Sequence, residues 1–561
     1  MAAAIQNCFR RYEKKYLLTW RQYRAMLEGM APHMRADHYS NYTTQTSHDI
    51  KSEQLQTKPC YMAIRRKIKK RNFFGKIEDA APDVWYNVID THHSHTERNC
   101  TMNSIAYDIE NEKSVSTKIT QFFQRFHIGE ILRKCNAYKE HGIPVVTVLL
   151  YLFHLAFRNR SMYMDMLTEN TPGFCKDTIY RLKNSIRINW MRFTTLLSAS
   201  VIRSAVEPLT DKNRRNVFII DDSVFERNRS KKVELLAKVF DHAHHLYIRG
   251  FSMLTLGWSD GVSFIPVNSC LLSTENQKNR INEAKPVNAQ TFGARIREMA
   301  QSKATEVMLK LVEEAQAAGI QAKYVLFDSW FTYPKTILAL KRMNLDTVAM
   351  VKKADTIQFL YQGKMLSDKE IFRQNRKRRG RAKYLLSVMV EVCGETNLPA
   401  KLVFIRNRNK KSDYLVLIST DTSLSEQEII QLYGKRWDIE VFFKTSKSIL
   451  KLTDECRSMS YDAMCAQTAV VFARFIFLAV TIREEKDDRS IGPLFYEICD
   501  EIADITFEDA LRKLELFLEK LSQQFNGLSL DICALIAEFI ADLPADLAAL
   551  LDFNKQKREK A

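Results

Sequence analysis

The sequence predicts an α/β protein, and three observations carry that prediction. Two apolar runs, Asn216-Val-Phe-Ile-Ile-Asp-Asp-Ser223 and Tyr324-Val-Leu-Phe-Asp-Ser-Trp-Phe331, close on aspartates and read as buried strands. Between them lie strand-like stretches at 246–256 and 262–272 and a long helical stretch at 291–318. Downstream, Ser425 and Glu428 form a Ser-x-x-Glu capping box ahead of an amphipathic helical segment.

In chain order, residues 1–101 do not fit the rest of the chain, and about 58–101 show no periodicity. Residues 102–210 read mainly helical. Within them, Lys176 to Ile186 follows a Thr-Pro-Gly turn and predicts a short basic helix exposing Lys176, Tyr180, Arg181 and Lys183, the pattern of a recognition helix. The first aspartate strand opens a region at 211–354. There, Ser259-Asp260-Gly261 predicts a hairpin turn, and a short helix at 334–343 precedes a strand at 346–351. Residues 355–424 alternate in strand fashion, as in Tyr384 to Val392 and Lys401 to Ile405. Residues 425–490 return to helix, and 491–561 form amphipathic helical stripes that suit core packing or a dimer contact.

Composition narrows the class. The chain has 561 residues and is 46% hydrophobic, enough for several buried cores. A net charge of +18 favours a polyanionic partner without separating DNA from RNA or a membrane surface. Eleven cysteines, with no Cys-x-x-Cys pair, point to reduced thiols rather than a secreted disulfide framework. Gln6, Asn7, Arg10 and Arg11 interrupt the N-terminal alanines, so no signal peptide is expected. The apolar stretches 143–157 and 469–482 are shorter than the roughly 20 residues of a membrane span. They read as buried helices, and no membrane partner is expected.

The chemistry is densest at 433–447. Tyr433, Arg436, Glu440 and Lys447 are spaced Tyr-x2-Arg-x3-Glu-x6-Lys. At about 100° per residue they fall on one face of a helix, and Leu432, Ile439, Phe442, Phe443 and Leu450 line the adjoining flank. Taken alone, these are ordinary i, i+4 pairs on a solvated face. Asp222 and Asp328 change the balance. Three carboxylates on adjacent elements can hold two Mg²⁺ ions about 3.5–4 Å apart for attack on a phosphodiester, and Mn²⁺ would substitute. Mg²⁺ suits oxygen donors and keeps waters to share with phosphates. Asp221 is the alternative ligand, since neighbours on a strand face opposite ways. Lys444 joins the cationic side of the helix. The loops at 376–383 and 406–411, with Arg378, Arg379 and Arg381, can track a phosphate backbone.

The order Asp222, Asp328, Glu440, together with the Tyr-Arg-Glu-Lys helix, resembles bacterial cut-and-paste DDE transposases of the insertion-sequence-four type, over roughly residues 102–520. The resemblance implies a ribonuclease-H-like catalytic core at 211–354 and 425–490, split by a β-rich insertion at 355–424. It implies a helical DNA-end-binding domain at 102–210. It further implies cutting of double-stranded DNA at inverted-repeat ends and joining of 3′-hydroxyls to target DNA. A homodimer on DNA, in the bacterial cytoplasm with the nucleoid, would be the working form. Asp222, Asp328 and Glu440 would bind the metals, and Tyr433, Arg436 and Lys447 would contact phosphates. An aromatic in the insertion would stack a displaced base, with Phe359, Tyr361 and Tyr384 as candidates. A ribonuclease-H-like nuclease without strand transfer and a silent DNA-binding derivative are the alternatives.

Residues 9–57 separately resemble the opening of bacterial VTC-domain proteins related to polyphosphate polymerases. On that reading 1–101 is foreign or poorly ordered, and Met102 is the original start. His92, His93, His95 and Cys100 match no standard zinc spacing.

Overall fold

The computed structural model describes residues 118–499, apart from 167–171, 212, 242–243, 379–381, 383, 408–412 and 486–490. The N-terminal extension, with its VTC-like segment and histidine cluster, therefore lies outside the described residues. So does nearly all of 491–561.

Helices come first in the described chain: α1 (Lys118–Arg125), α2 (Ile128–Lys134), α3 (Val145–Phe157), α4 (Met162–Met166), α5 (Lys176–Lys183) and α6 (Trp190–Val201). Four strands come next, β1 (Val217–Glu226), β2 (Ala237–Asp241), β3 (Leu246–Ser259) and β4 (Phe264–Leu272). They lead into α7 (Phe292–Ala300), α8 (Ala304–Ala317), β5 (Tyr324–Phe327), α9 (Pro334–Arg342) and β6 (Asp346–Met350). The insertion contributes β7 (Gln358–Tyr361), β8 (Lys364–Ser367), α10 (Asp368–Gln374), β9 (Leu386–Val392), β10 (Leu398–Arg406) and β11 (Tyr414–Ser419). The chain then forms α11 (Glu426–Gly434), α12 (Trp437–Ser448) and α13 (Tyr461–Glu485). This is the mixed α/β architecture expected of a ribonuclease-H-like core.

Among the described residues one eleven-stranded mixed sheet organises the molecule, in the order β2-β3-β1-β5-β6-β11-β10-β9-β7-β8, with β4 paired to β3. Strands β1, β5 and β6 run parallel and share a carboxyl edge. The remaining pairings are antiparallel. The β3–β4 hairpin turns where the sequence places it, at Asp260 and Gly261. Gly261 has φ +92°, a conformation that strains an L side chain. The insertion does not stand apart from the core sheet: β11 pairs with β6 through Leu417↔Met350, Ile418↔Ala349 and Ser419↔Val348.

Several expectations need correction. The aspartates of the first run do not end their strand, because β1 continues to Glu226 along its full pairing with β3. The helical stretch 291–318 is two helices, since the Ser273 N–H takes the Ala300 carbonyl at 2.8 Å and ends α7 there. Strand β2 escaped the sequence reading. Five residues at a sheet edge give too short an alternation to register.

The apolar stretch at 469–482 lies within the 25-residue α13, long and apolar enough to cross a membrane by length and composition. In the fold it is a core helix, packed against β4, α3, α5 and α6. Its Arg474 is fully buried and answered on all sides. The guanidinium donates to the carbonyls of Leu152, Phe153 and Leu450 at 2.5, 3.1 and 2.9 Å and pairs with Glu455 at 3.0 Å. The basic helix predicted from Lys176 exists as α5, but Lys183 faces inward and donates to Gln467 at 2.9 Å. Its exposed surface is therefore Lys176, Asp177, Tyr180 and Arg181.

Candidate active site

The site forms where the parallel strands run out. Strand β1 pairs with β5 only from Val217↔Tyr324 to Ile219↔Leu326. Continued by two residues, the same register sets Asp221 level with Asp328, which comes directly after β5. Val217 to Ile220 and all four residues of β5 are buried, so two apolar strands carry their acidic ends to one edge of the sheet.

Asp328 sits in a tight turn. Its carboxylate accepts the Trp330 N–H at 2.9 Å, and its carbonyl accepts the Thr332 hydroxyl at 2.9 Å. The buried Phe331 anchors this turn. Trp330 is 51% exposed, with the Lys352 Nζ 5.0 Å from its ring centroid and bonded to the Tyr333 hydroxyl at 3.0 Å.

The third carboxylate arrives on a broken helix. The capping box at Ser425 and Glu428 forms as the sequence implies and starts α11. Tyr433, Arg436, Glu440 and Lys447 do not share one continuous helix, however, because α11 ends at Gly434 and α12 begins at Trp437. Across the junction the N–H groups of Lys435 and Arg436 bond three residues back, a tighter turn than the α-helix makes. Two features favour the break: Gly434 is a weak helix former, and the Lys435 Nζ is tied to the Arg215 and Asp260 carbonyls at 2.9 and 3.4 Å. Asp438 accepts the Ser259 hydroxyl at 2.9 Å, pinning the start of α12 on the same hairpin. The apolar flank packs as expected, with Leu432, Ile439, Phe442, Phe443 and Leu450 all buried.

At this junction Arg436 bridges two carboxylates. It donates to Asp221 Oδ2 at 2.7 Å and bonds the Glu440 carboxylate one turn further on. Burial raises the Asp221 carboxyl to about 7, against the lowering pull of Arg436; nearby Asp328 and Asp222 add to the rise. Tyr433 lies beside the same group, its ring centroid 5.9 Å from the guanidinium, and burial lifts its phenol to about 12. Asp222 takes different partners. It accepts the Ser252 hydroxyl at 2.5 Å from β3, and its own N–H donates to Asp221 Oδ1 at 2.9 Å. Lys447 donates to the Ser223 hydroxyl at 2.7 Å, and burial lowers its pKa against the raising fields of Asp241, Glu226 and Asp222. Lys444 is exposed.

Residues 148–392 match the family model of the DDE superfamily endonucleases. That match takes in β1 through β9 with Asp222 and Asp328, and it stops short of Glu440. A DDE superfamily endonuclease domain supports a nuclease- or transposase-like activity, and DDE-type endonucleases generally use divalent metals. No curated protein matches the chain.

The donors present suit such a metal in kind, being carboxylate oxygens brought to one sheet edge and one helix. They are not preassembled: among the described residues no three His, Cys, Asp or Glu side chains group closely enough to hold an ion. The Arg436 guanidinium instead bonds Glu440 and Asp221, the neighbour of Asp222.

Away from this edge, Arg378 is exposed with its guanidinium 4.2 Å from the Tyr384 ring centroid, while Arg379 and Arg381 lie outside the described residues. Phe359 and Tyr361 are buried, which removes them as stacking surfaces and leaves Tyr384 of the three. Sequence reasoning missed the Asp221–Arg436 bond and the exposed Trp330. The signal for Trp330 was its place two residues after a strand-end aspartate. Only the register of β1 against α12 could reveal the bond to Asp221.

Proposed function

We propose that this chain is a transposase of a bacterial insertion sequence, of the insertion-sequence-four type. It cuts double-stranded DNA at the inverted-repeat ends of its element and joins the freed 3′-hydroxyls to target DNA. What carries the reading is Arg436 bonded to both Asp221 of β1 and Glu440 of α12, in a chain whose residues 148–392, with Asp222 and Asp328, match the DDE superfamily endonucleases. Asp222, Asp328 and Glu440 would hold two Mg²⁺ ions, which when bound activate the attacking oxygen and stabilise the leaving one.

The chain's own residues do the rest. Asp221 orients Arg436, and Arg436 and Lys447 place phosphates while Tyr433 backs the guanidinium. Lys444 and the loop with Arg378, Arg379 and Arg381 track the backbone further out. The helical region 102–210 would bind the ends, and 491–561 would pair two copies on DNA in the cytoplasm. The segment before Met102 is a fused fragment of VTC type with no part in the chemistry.

The test uses the DNA flanking this reading frame as labelled substrate, with the full chain, a form beginning at Met102, and a Glu440→Gln version, each with and without Mg²⁺. Cutting at the inverted ends that Glu440→Gln or metal removal abolishes supports the proposal. Cutting without products that depend on a 3′-hydroxyl leaves a nuclease, and binding without cutting leaves a silent DNA-binding protein.

A further inference from the structure

The carboxylates that would hold metal are not grouped, and one side chain ties Glu440 to Asp221, the neighbour of Asp222. Arg436 is 18% exposed, Asp221 13% and Glu440 34%. An isolated Arg–Glu pair four residues apart on a helix has little weight, a few tenths of a kcal/mol. This one differs because the second carboxylate comes from β1, so the guanidinium is clamped from outside its own helix. It also sits in the turn between α11 and α12, at the N-cap of the helix that carries Glu440. A planar guanidinium offers its fork equally to a carboxylate or to a phosphodiester.

We propose that Arg436 is a latch on the metal site: anchored by Asp221, it holds Glu440 until a phosphodiester takes the place of that carboxylate. The inference rests on the reading that Asp328 and Glu440 are metal ligands. In the free protein the guanidinium neutralises Glu440, and the three ligands stay ungrouped. Once the fork turns to a backbone phosphate, Glu440 loses its cation and becomes a strong oxygen donor beside Asp328. The exchange works only because phosphate binding and the latched state compete for the same donors. By reciprocity, whatever occupies the assembled ligands tightens the grip on phosphate. Asp221 is then a positioning residue, keeping the guanidinium at the site in both states.

The test measures Mn²⁺ binding to the DNA-free full chain, from the electron paramagnetic resonance signal of the free ion. Wild type is compared with Arg436→Lys, which keeps the charge but loses the fork, and with Arg436→Gln. Each is repeated with Asp328→Asn. Both Arg436 variants are expected to bind Mn²⁺ on the order of tenfold more tightly than wild type, and Asp328→Asn is expected to erase the gain. A gain in Arg436→Gln alone would reduce the effect to net charge and overturn the latch. So would a gain that survives Asp328→Asn, or no gain in either variant. Wild-type cutting measured in parallel separates the two claims. A chain that cuts without any gain keeps its function and loses the latch, whereas a gain without cutting keeps the latch on a silent site.

Discussion

Asp221 and Asp222 are joined by a 2.9 Å bond from the Asp222 N–H to Asp221 Oδ1, yet their carboxylates take partners on different elements. Asp221 reaches Arg436 at the helix junction, and Asp222 reaches Ser252 on β3. Asp222→Asn is expected to lower nicking by on the order of a thousandfold, as loss of a group that supports the developing charge does. Asp221→Asn is expected to stay within about tenfold of wild type. Single-turnover nicking of labelled end DNA gives the ranking, and the reverse order would make Asp221 the ligand.

Arg474 bonds four acceptors at once, three of them backbone carbonyls. Arg474→Met would leave Glu455 without its buried ion-pair partner and remove the guanidinium's bonds to the three carbonyls. A loss of about 3–5 kcal/mol is expected from urea denaturation. Arg474→Lys, lacking the fork, should recover less than half of it.

His154, on α3, supplies a pH signature. Its Nδ1 faces the Leu150 carbonyl at 2.9 Å, and burial lowers its pKa from 6.5 to about 4. Between those values the unfolded chain takes up a proton that the native ring refuses. The associated stability is whole above pH 6.5 and drains away as the pH falls to about 4. Because the ring is only partly buried, the amount is on the order of 2 kcal/mol. Thermal melts of His154→Leu from pH 7 to pH 4 should show a flatter profile than wild type, and equal slopes would contradict the assignment.

The basic loop before β9 can be placed on or off the DNA path by salt. If Arg376, Lys377 and Arg378 each neutralise a phosphate, replacing all three with Ala flattens the log–log salt dependence of duplex binding by roughly 2 to 3. Fluorescence anisotropy across a salt series measures this. An unchanged slope would take the loop off the path.

Much of this was legible from residues alone. Buried strands announce themselves as unbroken apolar runs, so Val217 to Ile220 and Tyr324 to Phe327 were clear, as were the hairpin at Gly261 and the capping box at Ser425. Pairings between distant segments were not. That β1 runs on past its aspartates is a consequence of its ladder with β3, and the inward turn of Lys183 is set by Gln467 on α13. The break at Lys435 was hidden for the same reason, since its side chain is held by carbonyls more than 170 residues away in sequence. A helical wheel sees angles along one helix and cannot see what grips it from outside.

The joint between β6 and β11 sets a fixed ruler on this molecule. From β5, which delivers Asp328, to β9, which the basic loop precedes, the path crosses β6, β11 and β10 by backbone hydrogen bonds at every step. Four strand spacings amount to about 19 Å. That interval cannot stretch or swing without tearing the Leu417–Ser419 ladder from Val348–Met350. A substrate that touches both places must bring its own curvature to match, and shortening a loop on either side would leave the interval unchanged.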